Sequence, residues 1–193
     1  MRTGARPPRV AARVAARVAA RVAVRVAALG WRRDLPGASA LTRRVALATL
    51  AQAKAPGTAK GATDGAADRG ELCLVLGDDA LARRLNRDFR GQDRPTNVLS
   101  FPAGEPTSSQ DAVLGDVILA VETVAAEAVA QGKSLADHVS HLVVHGVLHL
   151  LGHDHKREAA ARRMEQLERR ILAGLGVADP YRSRRRPAAK ARR

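Results

Sequence analysis

An α+β fold is predicted by three features of this sequence. Short apolar runs bounded by turn residues occupy much of the first two thirds, helical periodicity dominates the last third, and a single helix-patterned stretch is interposed early. That order departs from the regular alternation of a βαβ array. The elements follow in turn. Residues 1–20 form a low-complexity arm in which Arg9-Val10-Ala11-Ala12 recurs from Arg13 and Arg17 and, less cleanly, from Arg21 and Arg25. A four-residue unit is too short for a solenoid repeat. The Arg/Val/Ala alternation from Arg21 to Leu29 suits a first strand, and Asp34-Leu35-Pro36-Gly37 is a turn signal.

Residues 38–53 read as a helix with Leu41, Val45, Leu47, Ala48 and Leu50 on its apolar side, and 56–70 as a loop. Glu71 to Leu76 is a strand, after which Asp78 or Asp79 caps a helix carrying Leu81, Leu85 and Phe89. Asn97 to Phe101 and Val113 to Val121 are further strands; helices then span roughly 122–131, 134–152 and 156–174. One domain over 21–178 is therefore expected, followed by a basic tail over 179–193.

Of the 193 residues 2% are aromatic, so the core must be built from Ala, Val and Leu. The single cysteine, Cys73, lies in an apolar strand and reads as a packed thiol, and a reducing cytoplasm is the natural compartment. No apolar run of eighteen residues appears, so no spanning helix and no membrane partner is expected. The net charge of +14 is concentrated at the ends. Residues 1–33 hold nine arginines and 182–193 seven Lys or Arg, with no acid in either, leaving 17 basic residues against all 19 acidic ones between them. Such arms suit salt-sensitive attraction to a phosphate backbone, although solubilising tails have the same composition. The N-terminus also has the charge of an organellar transit peptide but lacks its serines.

All six histidines fall between His138 and His155. Residues four apart on a helix share a face, so His145 and His149 can reach one ion; Gly152 lets the chain leave the helix and His155 return as third ligand. Three neutral imidazoles with an open fourth position mark a catalytic zinc (Zn2+) site, suited to hydrolysis of an electrophile and best matched by an anionic phosphate. The His-x3-His-x2-Gly-x2-His spacing is that of the metzincin peptidases, but Gly146 stands where their general-base glutamate follows the first histidine. Ordinary protease chemistry is thus disfavoured. His141 continues the row and is open to several roles: ligand, partner of a ligand, proton shuttle, or polar residue at the pocket edge, of which partner of a ligand is favoured. Asp154 is a candidate to orient a ligand imidazole, and His138 and His153 read as solvated or locally bonded.

Upstream, the segment Leu85 to Pro102 carries three arginines, two asparagines, Thr96 and Ser100 into a strand expected near the histidine helix. Arg90, beside the turn at Gly91, is the best candidate for gripping a phosphate with its fork of donors. A solvated loop with Asp88 and Asp93 pairing the arginines is the alternative.

Asn86-x3-Arg90-x4-Pro95-Thr96-Asn97-Val98-Leu99-Ser100-Phe101-Pro102, Leu114-Gly115-Asp116-Val117 followed by Glu122, and His145-Gly146-x-Leu148-His149-Leu150-x-Gly152-x-Asp154-His155 together closely resemble the YbeY family of bacterial rRNA maturation endoribonucleases, over about 70–175. The resemblance implies a mixed sheet of about four strands packed with about five helices, the histidine helix lying in a cleft. It further implies one zinc held by His145, His149 and His155, with Arg90 and His149 needed for activity. Single-strand-specific cleavage of RNA is the implied reaction, in rRNA processing (including the 16S rRNA 3′ end) and ribosome quality control. His153 departs from the aromatic residue frequent at that position. Metal-activated water, His141 or the RNA 2′-hydroxyl remain open as general base. Two other classes compete: an assembly factor that binds pre-rRNA, the ribosome or a ribosomal protein through a structural metal, and a metallohydrolase of small substrates.

Overall fold

The computed structural model describes residues 22–53, 71–103, 113–155 and 157–182. The arm, the 56–70 loop and the tail beyond Arg182 lie outside the described residues. Four strands, β1 (Val22–Val26), β2 (Glu71–Gly77), β3 (Val98–Pro102) and β4 (Val113–Ala120), form one sheet in the order β1-β2-β4-β3. β1, β2 and β4 run parallel and β3 antiparallel to β4, so the sheet is mixed and β3 is an edge.

Six helices are present among the described residues: α1 (Gly30–Asp34), α2 (Ala38–Gln52), α3 (Asp79–Arg90), α4 (Val121–Ala130), α5 (Leu135–Leu150) and α6 (Glu158–Gly174). The one that sequence periodicity did not reveal is α1, whose five residues make little more than a turn and hold no repeating apolar row. A single anchor places it: Trp31 is fully buried and its indole N–H donates to the Gly77 carbonyl at 2.7 Å.

Strand alternation sorts the sheet into two faces. Val22, Leu72, Leu74, Leu76, Val117 and Leu119 point into the helical layer and are essentially inaccessible. α5 is the centre of that layer, touching α2, α4, α6, β3 and β4. Its Val139, Leu142, Val143, Val144, Val147 and Leu148 are all buried, which explains a helix apolar on most sides. α3 lies over the opposite face, where Phe89 meets Phe101 edge-on at 5.2 Å between centroids. Phe89 itself stays largely exposed and is not a core residue. Asp78 is the cap of α3, accepting from the Leu81 N–H at 2.8 Å.

Between Glu71 and Leu72 the β2–β4 register shifts. Gly115, at φ 131°, takes up the irregularity; a Cβ there would stand 2.2 Å from the Phe101 carbonyl oxygen. Gly115→Ala is expected to cost on the order of 3 kcal/mol, because strained backbone and a backbone clash add. An unchanged urea midpoint for that variant would contradict the account. In the neighbouring β3–β4 ladder Gly115 opposes Pro102 and Val117 opposes Ser100, which faces the histidine helix.

Candidate metal centre

α5 begins at Ser134, whose hydroxyl accepts from the Asp137 N–H at 3.0 Å. It ends in a turn with Gly152 at φ 86°, where the Gly152 N–H reaches the His149 carbonyl and the His153 N–H the Leu148 carbonyl, both at 3.0 Å. This double closure is a Schellman motif, and glycine makes it strain-free. The turn has a second use. It carries the His153 carbonyl to 2.9 Å from His149 Nδ1, and it sends His155 back toward the helix.

His145, His149 and His155 each offer one donor atom, all within 4.8 Å of one another. Their tautomers follow from their partners. A carbonyl only accepts, so His149 Nδ1 carries a proton; His145 Nδ1 faces a Glu168 carboxylate oxygen at 2.9 Å and donates likewise. In the neutral rings, both Nε2 atoms therefore present lone pairs, 3.1 Å apart. Two lone pairs at that distance repel unless a cation lies between them and the third imidazole. The donor set thus fits a metal, and nitrogen ligation suits zinc. Fixing each ring through its other nitrogen is the usual arrangement for ligating histidines.

Glu168 was not anticipated. It lies on the buried face of α6 with Met164, Leu167, Ile171 and Leu172, and its signal in the sequence is an acid interrupting an apolar row at helical spacing. Besides His145, the carboxylate contacts His141 Nε2 at 3.4 Å and receives the Tyr181 hydroxyl. Burial alone would raise its pKa, but the bonds from His141, His145 and Tyr181 outweigh that and hold it at about 2. His149 is displaced downward to about 4, first by burial and then by the neighbouring His145 and His155. For His145 and His149 the orienting acceptors are thus Glu168 and the His153 carbonyl.

Acid sensitivity of the metal-free protein follows. Unfolded, His149 titrates near 6.5 and Glu168 near 4.5; folded, both titrate lower. Within each interval the unfolded chain binds a proton that the folded one refuses, so stability is complete above about pH 6.5 and falls as pH drops toward 4, then further toward 2. Urea midpoints at pH 7.5, 5.5 and 4.5 should decline in that order. A midpoint independent of pH over this range would refute the assignment.

The arginine segment meets the site through β3. Ser100 Oγ donates to the Gly146 carbonyl at 3.2 Å, and Arg90, the last residue of α3, donates from Nη2 to the Ser100 carbonyl at 3.3 Å. Asp93 forms a two-bond pair with Arg83, both bonds 2.8 Å, and Asp88 pairs with Arg87. Arg90 forms no ion pair among the described residues and keeps an exposed guanidinium. Other residues of the segment are architectural. Asn86 is buried and donates to the Arg94 carbonyl, while Asn97 links the start of β3 to Glu127, which also receives His138. His138 is buried, and that burial lowers its pKa. Glu122 and Asp79 cap each other's helices. Burial, then Asp116, raises the Cys73 pKa, as fits an unreactive thiol.

Fold and site together define an α+β protein with a metal-competent three-histidine centre. Residues 42–176 match the family model described as Endoribonuclease YbeY. A Parvibaculum lavamentivorans protein of that name is 60% identical over 120 residues, covering 58% of this chain and 65% of that protein. One from Paramagnetospirillum magneticum is 50% identical over 159 residues, covering 78% and 89%. A solution structure of a Thermotoga maritima protein aligns with a TM-score of 0.46 at 19% identity, covering 83% of this chain and 99% of that one. The chain belongs to the YbeY endoribonuclease family.

Proposed function

We propose that this protein is a zinc-dependent endoribonuclease specific for single strands, acting in rRNA processing, including the 16S rRNA 3′ end, and in ribosome quality control. The observation that carries the chemistry is the convergence of two forced lone pairs and His155 on one point, with Arg90 held to the strand whose Ser100 meets the histidine helix. Zinc held by His145, His149 and His155 would supply positive charge at the scissile phosphate and acidify water there. Arg90 binds a phosphate oxygen through the donors that Ser100 does not occupy. His141, tied to Glu168 beside His145, stands at the edge of the site as a candidate to move a proton. A hollow next to His145 is lined by Asn97, His138, His141 and Tyr181. The cytoplasm, where rRNA is made and matured in bacteria, is the proposed location; no described helix is long and apolar enough to cross a membrane.

The test compares wild type, Arg90→Ala and His149→Ala on single-stranded and duplex RNA, in preparations matched for trace nucleases. Arg90→Ala should lose on the order of 10²-fold in kcat/KM, the scale of removing one preorganised donor from a developing anion. Equal cleavage by all three proteins would remove the endoribonuclease reading. Ribosome maturation restored by a variant that cannot hold metal would favour an assembly role instead.

A further inference from the structure

The last of the described residues, after α6, are built into the metal centre. After α6 the chain turns at Gly176, φ 75°, and residues 177–182, partly assigned to the tail by composition, make folded contacts. Arg169 donates to Asp179 at 3.3 Å, the Tyr181 N–H to the same carboxylate at 3.0 Å, and Lys133 to the Pro180 carbonyl at 2.9 Å. The Arg169 guanidinium lies 4.8 Å from the centre of the Tyr181 ring, and that ring meets His141 edge-on at 5.5 Å. So held, the Tyr181 hydroxyl donates to Glu168 Oε2, while Glu168 Oε1 accepts from His145 Nδ1.

We infer that Tyr181 and Glu168 are positioning residues for the metal centre: the Asp179–Tyr181 turn clamps the buried carboxylate, which holds His145 in the form protonated at Nδ1, with Nε2 free for the metal. The inference rests on the metal reading above and extends it to a segment outside the histidine motif. Its physical basis is the division of labour on one carboxylate. Oε1 fixes the imidazole, and Oε2 is secured chiefly by the tyrosine, since its other contact, His141, is at 3.4 Å. Without the hydroxyl the carboxylate is free to turn about its last torsion, and His145 can exchange its proton between nitrogens. The ligand then spends part of its time with a proton where the metal must bind.

The experiment uses the full chain as wild type, Tyr181→Phe, Glu168→Gln and Glu168→Ala. Three readouts are taken: zinc affinity by competition with a chromogenic chelator, the His145 tautomer by 15N NMR of the metal-free protein, and metal-free thermal stability. Wild type should show His145 protonated at Nδ1. Glu168→Ala should mix the tautomers and bind zinc roughly 10–100-fold more weakly, the usual range for an outer partner of a ligand. Tyr181→Phe keeps the ring and its packing, and should weaken zinc several-fold, within the lower part of that range. Glu168→Gln retains an acceptor for Nδ1–H and should recover much of the Glu168→Ala loss. A role in packing alone predicts lower melting temperatures with wild-type zinc affinity and tautomer, and that result overturns the inference. So does a wild-type His145 protonated at Nε2. If wild type binds no zinc, the metal reading fails by itself, and the tautomer comparison still decides the positioning role.

Discussion

His149→Ala should abolish zinc-induced stabilisation and RNA cleavage together while leaving the metal-free fold nearly intact. The substitution removes one of three donors from the centre, so its effect on affinity must exceed the roughly 10–100-fold typical of losing an outer partner. At 100 times the dissociation constant, a ligand that binds only the folded state stabilises it by about 2.7 kcal/mol. Wild type should gain that amount on adding zinc, and the variant none. In the metal-free state the balance is different. The variant loses the bond from His149 Nδ1 to the His153 carbonyl, but it also removes the lone pair that faces His145 Nε2 at 3.1 Å. These changes oppose each other, and the metal-free stability should move by no more than about 1–2 kcal/mol. Denaturant titrations with and without zinc separate the two effects. Zinc stabilisation undiminished in His149→Ala would exclude the proposed centre.

Gly146→Glu, which restores the residue a metzincin carries after its first histidine, should destabilise the protein severely and yield no peptidase. A Cβ at Gly146 would sit 2.7 Å from Val117 Cγ1 and 3.1 Å from Ser100 Oγ, both on the sheet. The glutamate would therefore project into the helix–sheet interface and away from the metal. Val117 is buried and β-branched and cannot swing aside. Overpacking alone costs about 1–3 kcal/mol. An unpaired carboxylate in that interface adds several more, enough to exhaust the stability of a typical domain of about 5–15 kcal/mol when combined. Gly146→Ala separates the contributions: it keeps the crowding, adds no charge and gains up to about 1 kcal/mol of helix propensity. It should fold with a lowered urea midpoint, whereas Gly146→Glu should be largely insoluble or unfolded. A well-folded Gly146→Glu would show that α5 packs elsewhere.

Both variants show how the histidine motif divides between chemistry and packing. From spacing, the sequence yielded the helix, the exit at Gly152 and the convergence of His145, His149 and His155, because these are local properties of a helix and its end. The same holds for the apolar runs that form the strands and for a cap at Asp78 or Asp79, of which Asp78 serves. Locally coded features also have a limit. α1 was too short to show periodicity, and helical spacing did not say that Phe89 would stay exposed.

Determined by the sequence alone, then, are the convergence of His145, His149 and His155, the α+β class and the absence of a protease glutamate. Tertiary structure decided the rest. It showed that Gly146 faces the sheet, that Asp93 is matched to Arg83 and leaves Arg90 free of an ion pair among the described residues, and that Glu168 and the His153 carbonyl set the two imidazoles. It also joined Tyr181, from beyond the helical periodicity, to His145 through one carboxylate. The physical reason is range. A helix turn and its cap are written in neighbouring residues, whereas the proton on an imidazole depends on which distant oxygen reaches it, and only the packing of α6 and its following turn against α5 brings that oxygen there.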